Sequence, residues 1–168
     1  MGCVGQAVGS TGRLTLRLID DRGTGAVAVV QCGMDDAPIP RLTAADLINL
    51  ARRDPAQADC ATCHTLVCPG WESLPVYFDG DKLRRVGTLR DAAVTDPTVE
   101  EFHPGSTHTW SPEAPIAPAF FPYNRCDVYV CVTCSRPFLR YTEYGGYYID
   151  ERIREVHADR VVDAALTP

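Results

Sequence analysis

Two pairs of cysteines constrain the fold of this chain more than any other feature of its sequence. Each pair has the spacing Cys-x-x-Cys, the first at Cys60 and Cys63 and the second at Cys131 and Cys134. Two intervening residues let both sulfur atoms of a pair point to one centre, so the two pairs together can complete a tetrahedral site of four thiolates. The sequence therefore predicts a structural Zn²⁺ ion that joins two segments separated by 67 residues.

The composition favours a metal site over disulfide bonds. The chain has 168 residues, eight of them cysteine, and it shows neither an N-terminal signal pattern nor a run of about eighteen apolar residues. These features predict a cytoplasmic protein, and paired thiols in that reducing compartment hold metal more often than they form disulfides. Because 45% of the residues are hydrophobic, residues 1–168 are expected to form a single domain with a sizeable core.

The two cysteine pairs resemble the knuckles of the zinc-ribbon family, in which each Cys-x-x-Cys lies at the turn of a β-hairpin. The resemblance covers residues 59–64 and 126–156, and everything between them is an insertion. It implies that the four paired cysteines are the zinc ligands. Family knuckles often have glycine after the second cysteine, a position that His64 and Ser135 occupy here. The segment PYNRCDVYVCVTC is also similar to uncharacterised bacterial proteins, from which no function carries over.

The first pair has two other interpretations. The segment from Cys60 to His64 reads Cys-x-x-Cys-His, which is also the spacing that attaches c-type haem. That use needs an exported chain, and no methionine follows the motif to serve as an axial ligand. A redox dithiol would need a strand before the pair and a helix after it, whereas the predicted helix comes first. Both interpretations are therefore weaker than a zinc site.

The remaining cysteines leave the ligand set open. Cys68 and Cys126 mirror each other in their spacing from the two pairs, so either could substitute for a ligand, and His64 could do the same. The alternative is that Cys68 and Cys126 are small buried apolar residues, a common role of free cysteine. Cys3 and Cys32 carry no spacing signal.

Hydrophobic patterning predicts an α+β fold with a small antiparallel β-sheet, few helices and a zinc-ribbon-like C-terminal β-hairpin. Thr43 is expected to cap a helix over residues 44–53, because its hydroxyl can accept the backbone N–H of Asp46. Five prolines between His103 and Pro122 predict an extended segment against the domain surface. The other expected elements are a hairpin of residues 14–18 and 26–30, a second hairpin of residues 74–78 and 83–86 around Asp79-Gly80, and a final helix over residues 159–166.

The C-terminal hairpin has a predicted register. Gly145-Gly146 suits a two-residue turn, which would place Tyr144 opposite Tyr147. The same register sets Arg140 opposite Glu151, so that two opposite charges face each other across the strands. A wrong register would lose this pairing.

The sequence contains no enzyme signature. There is no Gly-rich phosphate loop, nucleophile elbow or HExxH motif, and no histidine is followed two residues later by glutamate. The chain has 22 acidic and 16 basic residues, a net charge of −6, which disfavours non-specific nucleic-acid binding and favours a basic partner. We therefore expect a zinc-stabilised protein that binds another protein, for example an immunity or antitoxin-like inhibitor of a basic toxin.

Two alternatives belong to other functional classes. The first is nucleic-acid binding, because zinc ribbons also bind nucleic acid and the C-terminal hairpin carries cations and aromatic rings that could stack on bases. Its residues would be Arg136, Arg140, Tyr141, Tyr144, Tyr147 and Tyr148. The second is a metal-dependent enzyme in which His103 and His108 join Glu100 or Glu101.

Overall fold

The structure, a computed structural model, describes two N-terminal strands by their backbone and residues 38–52 and 60–166 with their side chains. The chain divides into two compact units, Met1–Pro38 and Ile39–Pro168, which are described separately. The expected single domain over residues 1–168 stays a prediction. In the first unit, β1 (Leu14–Leu18) and β2 (Ala26–Val30) are antiparallel, and Leu14 lies opposite Val30. The predicted N-terminal hairpin is thus confirmed.

The second unit is built on one antiparallel sheet of five strands. The strands are β3 (Glu72–Ser73), β4 (Leu83–Thr88), β5 (Asp127–Cys131), β6 (Pro137–Tyr144) and β7 (Ile149–Glu155). Their order across the sheet is β3-β7-β6-β5-β4. With one α-helix in the described residues, this unit is mostly β, and the predicted small antiparallel sheet with few helices is confirmed.

The single α-helix, α1 (Ala44–Ala51), begins where the sequence predicts. The Thr43 hydroxyl accepts the Asp46 N–H at 3.2 Å, and the Asp46 carboxylate accepts the Thr43 N–H at 2.8 Å. This reciprocal capping box satisfies donors that the first turn would otherwise leave free. Leu47 is fully buried and Ala44 nearly so, so this side of the helix packs inward.

Both faces of the sheet are covered. On one face, α1 packs over Val128, Leu139 and Tyr141, a group that we call the helix-side core. On the other face, Leu83, Phe138 and Ile153 pack with the paired cysteines in the cysteine-side core. Neighbouring residues of a strand point to opposite faces, so Phe138 and Leu139, both fully buried, serve different cores.

Two predicted elements are wrong. No hairpin forms from residues 74–78 and 83–86, because the Asp79 side chain accepts the Asp81 N–H and starts a 3₁₀ turn instead of a β-turn. β4 pairs with β5. No helix forms over residues 159–166, because residues 158–160 make a 3₁₀ turn and the chain then pairs with Ile116, which donates its N–H to the Arg160 carbonyl at 2.8 Å and accepts the Val162 N–H at 3.0 Å.

The proline-rich segment forms no α-helix or strand in the described structure, as expected, but it does not simply cover the surface. Ala114, Ile116 and Ala117 are almost fully buried. The segment enters the core because Ile116 bonds to the backbone on both sides of Val161. The proline-rich segment is therefore a connection that is buried around Ile116.

The C-terminal hairpin forms, but its predicted register is wrong by two residues. Tyr144 lies opposite Ile149, and residues 145–148 form the loop. The Tyr148 ring folds over Gly145, where a side chain would clash with it, and the Gly145 N–H donates to the Tyr148 carbonyl at 2.9 Å. A shift of two keeps each side chain on its face, so Arg140 still reaches Glu151 diagonally at 3.4 Å.

Candidate metal centre

The four paired cysteines converge on one point of the cysteine-side core. All four sulfur atoms lie within 4.8 Å of one another. The Sγ atoms of Cys60 and Cys131 are 3.9 Å apart, and those of Cys63 and Cys134 are 3.6 Å apart. A tetrahedron with Zn–S bonds of about 2.3 Å has sulfur–sulfur edges of about 3.8 Å. The observed sulfur–sulfur distances thus match those around one metal ion of about the size of Zn²⁺.

Each cysteine pair is held by a tight backbone turn. In the first turn, the Cys63 N–H donates to the Cys60 carbonyl at 3.2 Å, and the Leu66 N–H donates to the Cys63 carbonyl at 3.0 Å. In the second, the Ser135 N–H donates to the Cys131 carbonyl at 2.9 Å. These turns fix the direction of the sulfur atoms before any metal binds.

The second turn connects β5 to β6, and the first lies before the short edge strand β3. Cys131 is the last residue of β5, and β6 starts at Pro137. The second pair therefore lies at a hairpin turn, which is where the zinc-ribbon resemblance places it. Residues 61–65 form turns, and the nearest following strand is the short β3 at the sheet edge.

The cluster is shielded from solvent, which changes the pKa values of its thiols. Cys60, Cys63 and Cys131 are buried, and Cys134 is half-buried. Burial raises the pKa of Cys63 and of Cys134. Burial also disfavours the Cys60 thiolate, but hydrogen bonds from the backbone N–H groups of Cys63 and Thr62 outweigh it and lower the Cys60 pKa to about 6. Metal ligation requires thiolates, so a bound cation would favour the deprotonated form of all four sulfurs.

His64 and Ser135, which stand where family knuckles often have glycine, have different roles. Ser135 adopts a φ of 61°, the left-handed conformation that glycine accepts most easily. His64 is exposed, and its Nδ1 lies 2.8 Å from the Ala61 carbonyl. The imidazole therefore engages the backbone of its own turn and is not part of the sulfur cluster.

Cys68 and Cys126 lie outside the cluster. Cys68 is buried in the cysteine-side core, and burial raises its pKa to about 12. Cys126 is fully buried in the helix-side core, where its Sγ donates to the Pro122 carbonyl at 3.3 Å. Burial also raises its pKa well above the ordinary value. Both behave as small apolar residues, whereas Cys3 and Cys32 fall outside the described residues.

The loop that contains His103 and His108 does not form a second metal site in the described structure. His103 Nε2 hydrogen-bonds to the Glu101 carboxylate, and the Thr109 hydroxyl donates to the same carboxylate oxygen. His108 is exposed, and no cluster of three potential ligands includes it. Within the described part of the chain, the four cysteines are the group of three or more such ligands that lies close enough to share an ion.

The hairpin residues of the nucleic-acid hypothesis are divided between core and surface. Tyr141 is 4% exposed, so it cannot stack on a base. Arg140 contacts Glu151 at 3.4 Å and lies over the Tyr129 ring, and Arg136 contacts Glu155 at 3.5 Å. The exposed aromatic residues are Tyr144, Tyr147 and Tyr148.

No protein-family model, curated protein or solved structure matches this chain. Among the described residues, no helix combines the length and apolar character needed to cross a bilayer.

Proposed function

We propose that this chain is a zinc-stabilised protein whose function is to bind another protein, with the metal in a structural role. The observation that carries the proposal is the cluster of four sulfur atoms within 4.8 Å, all from cysteine. A catalytic zinc keeps one position for water or substrate and usually has histidine or carboxylate ligands, whereas four thiolates close the coordination shell. Such a site supplies folding energy instead of chemistry.

The proposed zinc would tie a long connection to the sheet. The segment that carries Cys60 and Cys63 has no long strand or helix of its own among the described residues, and it leads to the two-residue strand β3. Bonds to Cys131 and Cys134 would anchor it to the β5–β6 turn. In this proposal the β5–β6 turn is a zinc-ribbon-like knuckle, and the first pair supplies its partner from a distant part of the sequence.

The tip of the β6–β7 hairpin is the surface best suited to a protein partner. Tyr144, Tyr147 and Ile149 are 77%, 105% and 72% exposed. Large aromatic side chains are enriched at the energetic centres of protein interfaces, because they bury much area at little entropic cost. The contact of Arg152 with Glu143, at 2.6 Å, joins β7 to β6 below the tip and stabilises the hairpin there.

The proposed partner is basic. The chain carries a net charge of −6, which would steer a cationic surface toward it. An immunity or antitoxin-like protein that covers the cationic active site of a toxin is one concrete form of this proposal. The proposed compartment is the cytoplasm, where reducing conditions keep the thiolates available to zinc.

Site-specific cross-linking tests the proposal. A photo-reactive phenylalanine analogue at Tyr147, expressed in the source cells, should capture one protein of high isoelectric point in about equal amount. The matched control places the same analogue at Tyr77, which is 98% exposed but lies in the loop before β4. Capture at position 147 and not at position 77 supports the proposal.

Three results would contradict it. Equal capture at both positions would show non-specific contact, and no capture at position 147 would remove the tip as the binding surface. Capture of nucleic acid instead of protein would favour the alternative in which Tyr147 and Tyr148 stack on bases.

A further inference from the structure

A cavity of about 800 Å³ lies at the end of the sheet away from the metal centre. Arg85 and Arg90 line it and contact Asp127, the first residue of β5. The same strand ends at Cys131 in the metal centre. Pockets for small ligands usually measure about 300–1,000 Å³, so this cavity has the size of a binding site. We call it the arginine pocket.

The arginine pocket has an excess of positive charge. Four guanidinium groups line it, from Arg41, Arg85, Arg90 and Arg125. Arg41 contacts Asp91 at 2.9 Å, and Asp127 is shared by Arg85 at 2.6 Å and Arg90 at 3.8 Å. Among the described residues, two carboxylates therefore contact three of these four cations, in a chain whose net charge is −6. A local charge opposite to that of the whole molecule indicates an anionic ligand.

Two buried polar atoms of residues in the pocket wall have no hydrogen-bond partner among the described residues. Asn124 is 9% exposed, and its Oδ1 accepts no hydrogen bond, although its amide donates to the Thr98 carbonyl at 2.8 Å. The Nε of Arg125 is also buried and unpaired, and this guanidinium contacts the Pro97 carbonyl and the Phe121 ring but no carboxylate in the described structure. The polar groups of these two wall residues are therefore only partly used by hydrogen bonds within the described residues.

We propose that the arginine pocket binds a small organic anion with a phosphate or carboxylate head group. The guanidinium groups would hold the head group through charge-assisted hydrogen bonds. Leu89, Val94 and Pro118 form an apolar part of the wall, where the body of the ligand would lie.

Isothermal titration calorimetry on the zinc-loaded chain tests this proposal with three probes. Adenosine monophosphate offers phosphate and hydroxyl groups, gluconate offers carboxylate and hydroxyl groups, and adenosine has no charge. We expect one of the two anions to bind at least about tenfold more tightly than adenosine, with affinity that falls as salt rises. The preferred anion identifies the head group.

Matched variants locate the binding. Arg90→Gln and, separately, Arg41→Gln should each weaken anion binding at least about fivefold, and each leaves the Arg85–Asp127 contact in place. The control is Arg84→Gln, which removes an exposed guanidinium from the same strand without altering the pocket lining. Binding of neither anion, equal binding of adenosine, or equal affinities in the Arg90→Gln and Arg84→Gln variants would overturn the proposal.

Discussion

Thr62 and Thr133 face each other beside the cysteine cluster, with their Oγ1 atoms 2.8 Å apart. Each threonine directly precedes the second cysteine of its pair. The two sulfur contacts likewise join first cysteine to first and second to second, so each of these contacts connects positions 71 residues apart. The two turns therefore contact each other through equivalent positions, although Cys134 is half-buried and the other three cysteines are buried.

Loss of one sulfur should release the metal. Cys63 is fully buried, and among the described residues no fifth ligand belongs to the cluster, so Cys63→Ser replaces a thiolate by a poor zinc ligand without a substitute there. We expect one zinc per chain in the parent protein and at least about 100-fold weaker zinc binding in the variant, since even the loss of outer-shell partners costs about 10–100-fold. Native mass spectrometry with a competing chelator measures both.

Cys68→Ala is the control for this variant. Cys68 is equally buried but lies outside the cluster, so its removal should leave one zinc bound and lower the free energy of unfolding by about 1 kcal/mol through a small cavity. If Cys63→Ser retained a full equivalent of zinc, or if Cys68→Ala lost it, the assignment of ligands would be wrong.

The backbone of the second turn should favour glycine. Ser135 has a φ of 61° and is exposed, so its side chain gains little from packing. The left-handed conformation costs about 1–2 kcal/mol for a residue with a Cβ, and glycine removes this cost. Glycine also raises the conformational entropy of the unfolded chain, which offsets part of the gain in stability. Ser135→Gly should therefore raise the free energy of unfolding by up to about 1 kcal/mol, and Ser135→Val should lower it. Urea denaturation of the zinc-loaded protein measures both changes, and a less stable glycine variant would contradict this account.

The parts of this structure that the sequence predicts are those governed by local chemistry. The Thr43–Asp46 capping box follows from two side chains three residues apart. The cysteine pairs were predictable as a cluster because four thiols at knuckle spacing have few other uses in a reducing compartment. Ser135 could have been identified too, because it occupies a position where glycine is common.

The wrong C-terminal helix depends on a contact between distant segments, whereas the wrong hairpin register depends on a local contact of one aromatic ring. The C-terminal helix was expected from the spacing of Val161, Val162 and Leu166, but Ile116 pairs with this stretch from about 45 residues away and imposes an extended backbone, as tertiary contacts can override local propensity. The hairpin register failed because the Tyr148 ring packs on Gly145 and lengthens the loop. The arginine pocket was not predicted, since its four guanidinium groups come from separate segments with no shared motif.

A buried guanidinium should be essential to the packing of the proline-rich segment. Arg154 is fully buried, donates to the Ala114 and Pro112 carbonyls at 2.5 and 3.3 Å, and hydrogen-bonds to the Tyr123 hydroxyl. Arg154→Met would leave two buried acceptors, the Ala114 carbonyl and the Tyr123 hydroxyl, without this donor, at about 1–3 kcal/mol each when unrelieved. We expect the free energy of unfolding to fall by about 3 kcal/mol or more, as measured by urea denaturation.

Two further variants separate this role from charge alone. Arg154→Lys keeps the charge but lacks the planar fork that reaches several acceptors, so it should restore less than half of the lost stability. Arg160→Met removes a guanidinium that is 40% exposed beside Asp159, and it should change stability by less than about 0.5 kcal/mol. Full rescue by lysine would contradict the proposed geometry.

The Glu101 carboxylate should make stability depend on pH. Burial alone would raise the pKa of Glu101, but hydrogen bonds from Thr109 and His103 outweigh burial and hold it below its ordinary value of 4.5. A carboxyl whose pKa is lower in the folded state stabilises the fold above its unfolded pKa, and this contribution disappears as the pH falls through the folded pKa. Glu101→Gln should therefore be less stable than the parent at pH 7, and the difference should shrink below about pH 4.5.

Melting temperatures from pH 3 to pH 7 measure this difference in stability, with the exposed Glu113→Gln as a control whose difference from the parent stays constant. A Glu101→Gln difference that is equally constant would show that the carboxylate has no favoured partners in the folded chain.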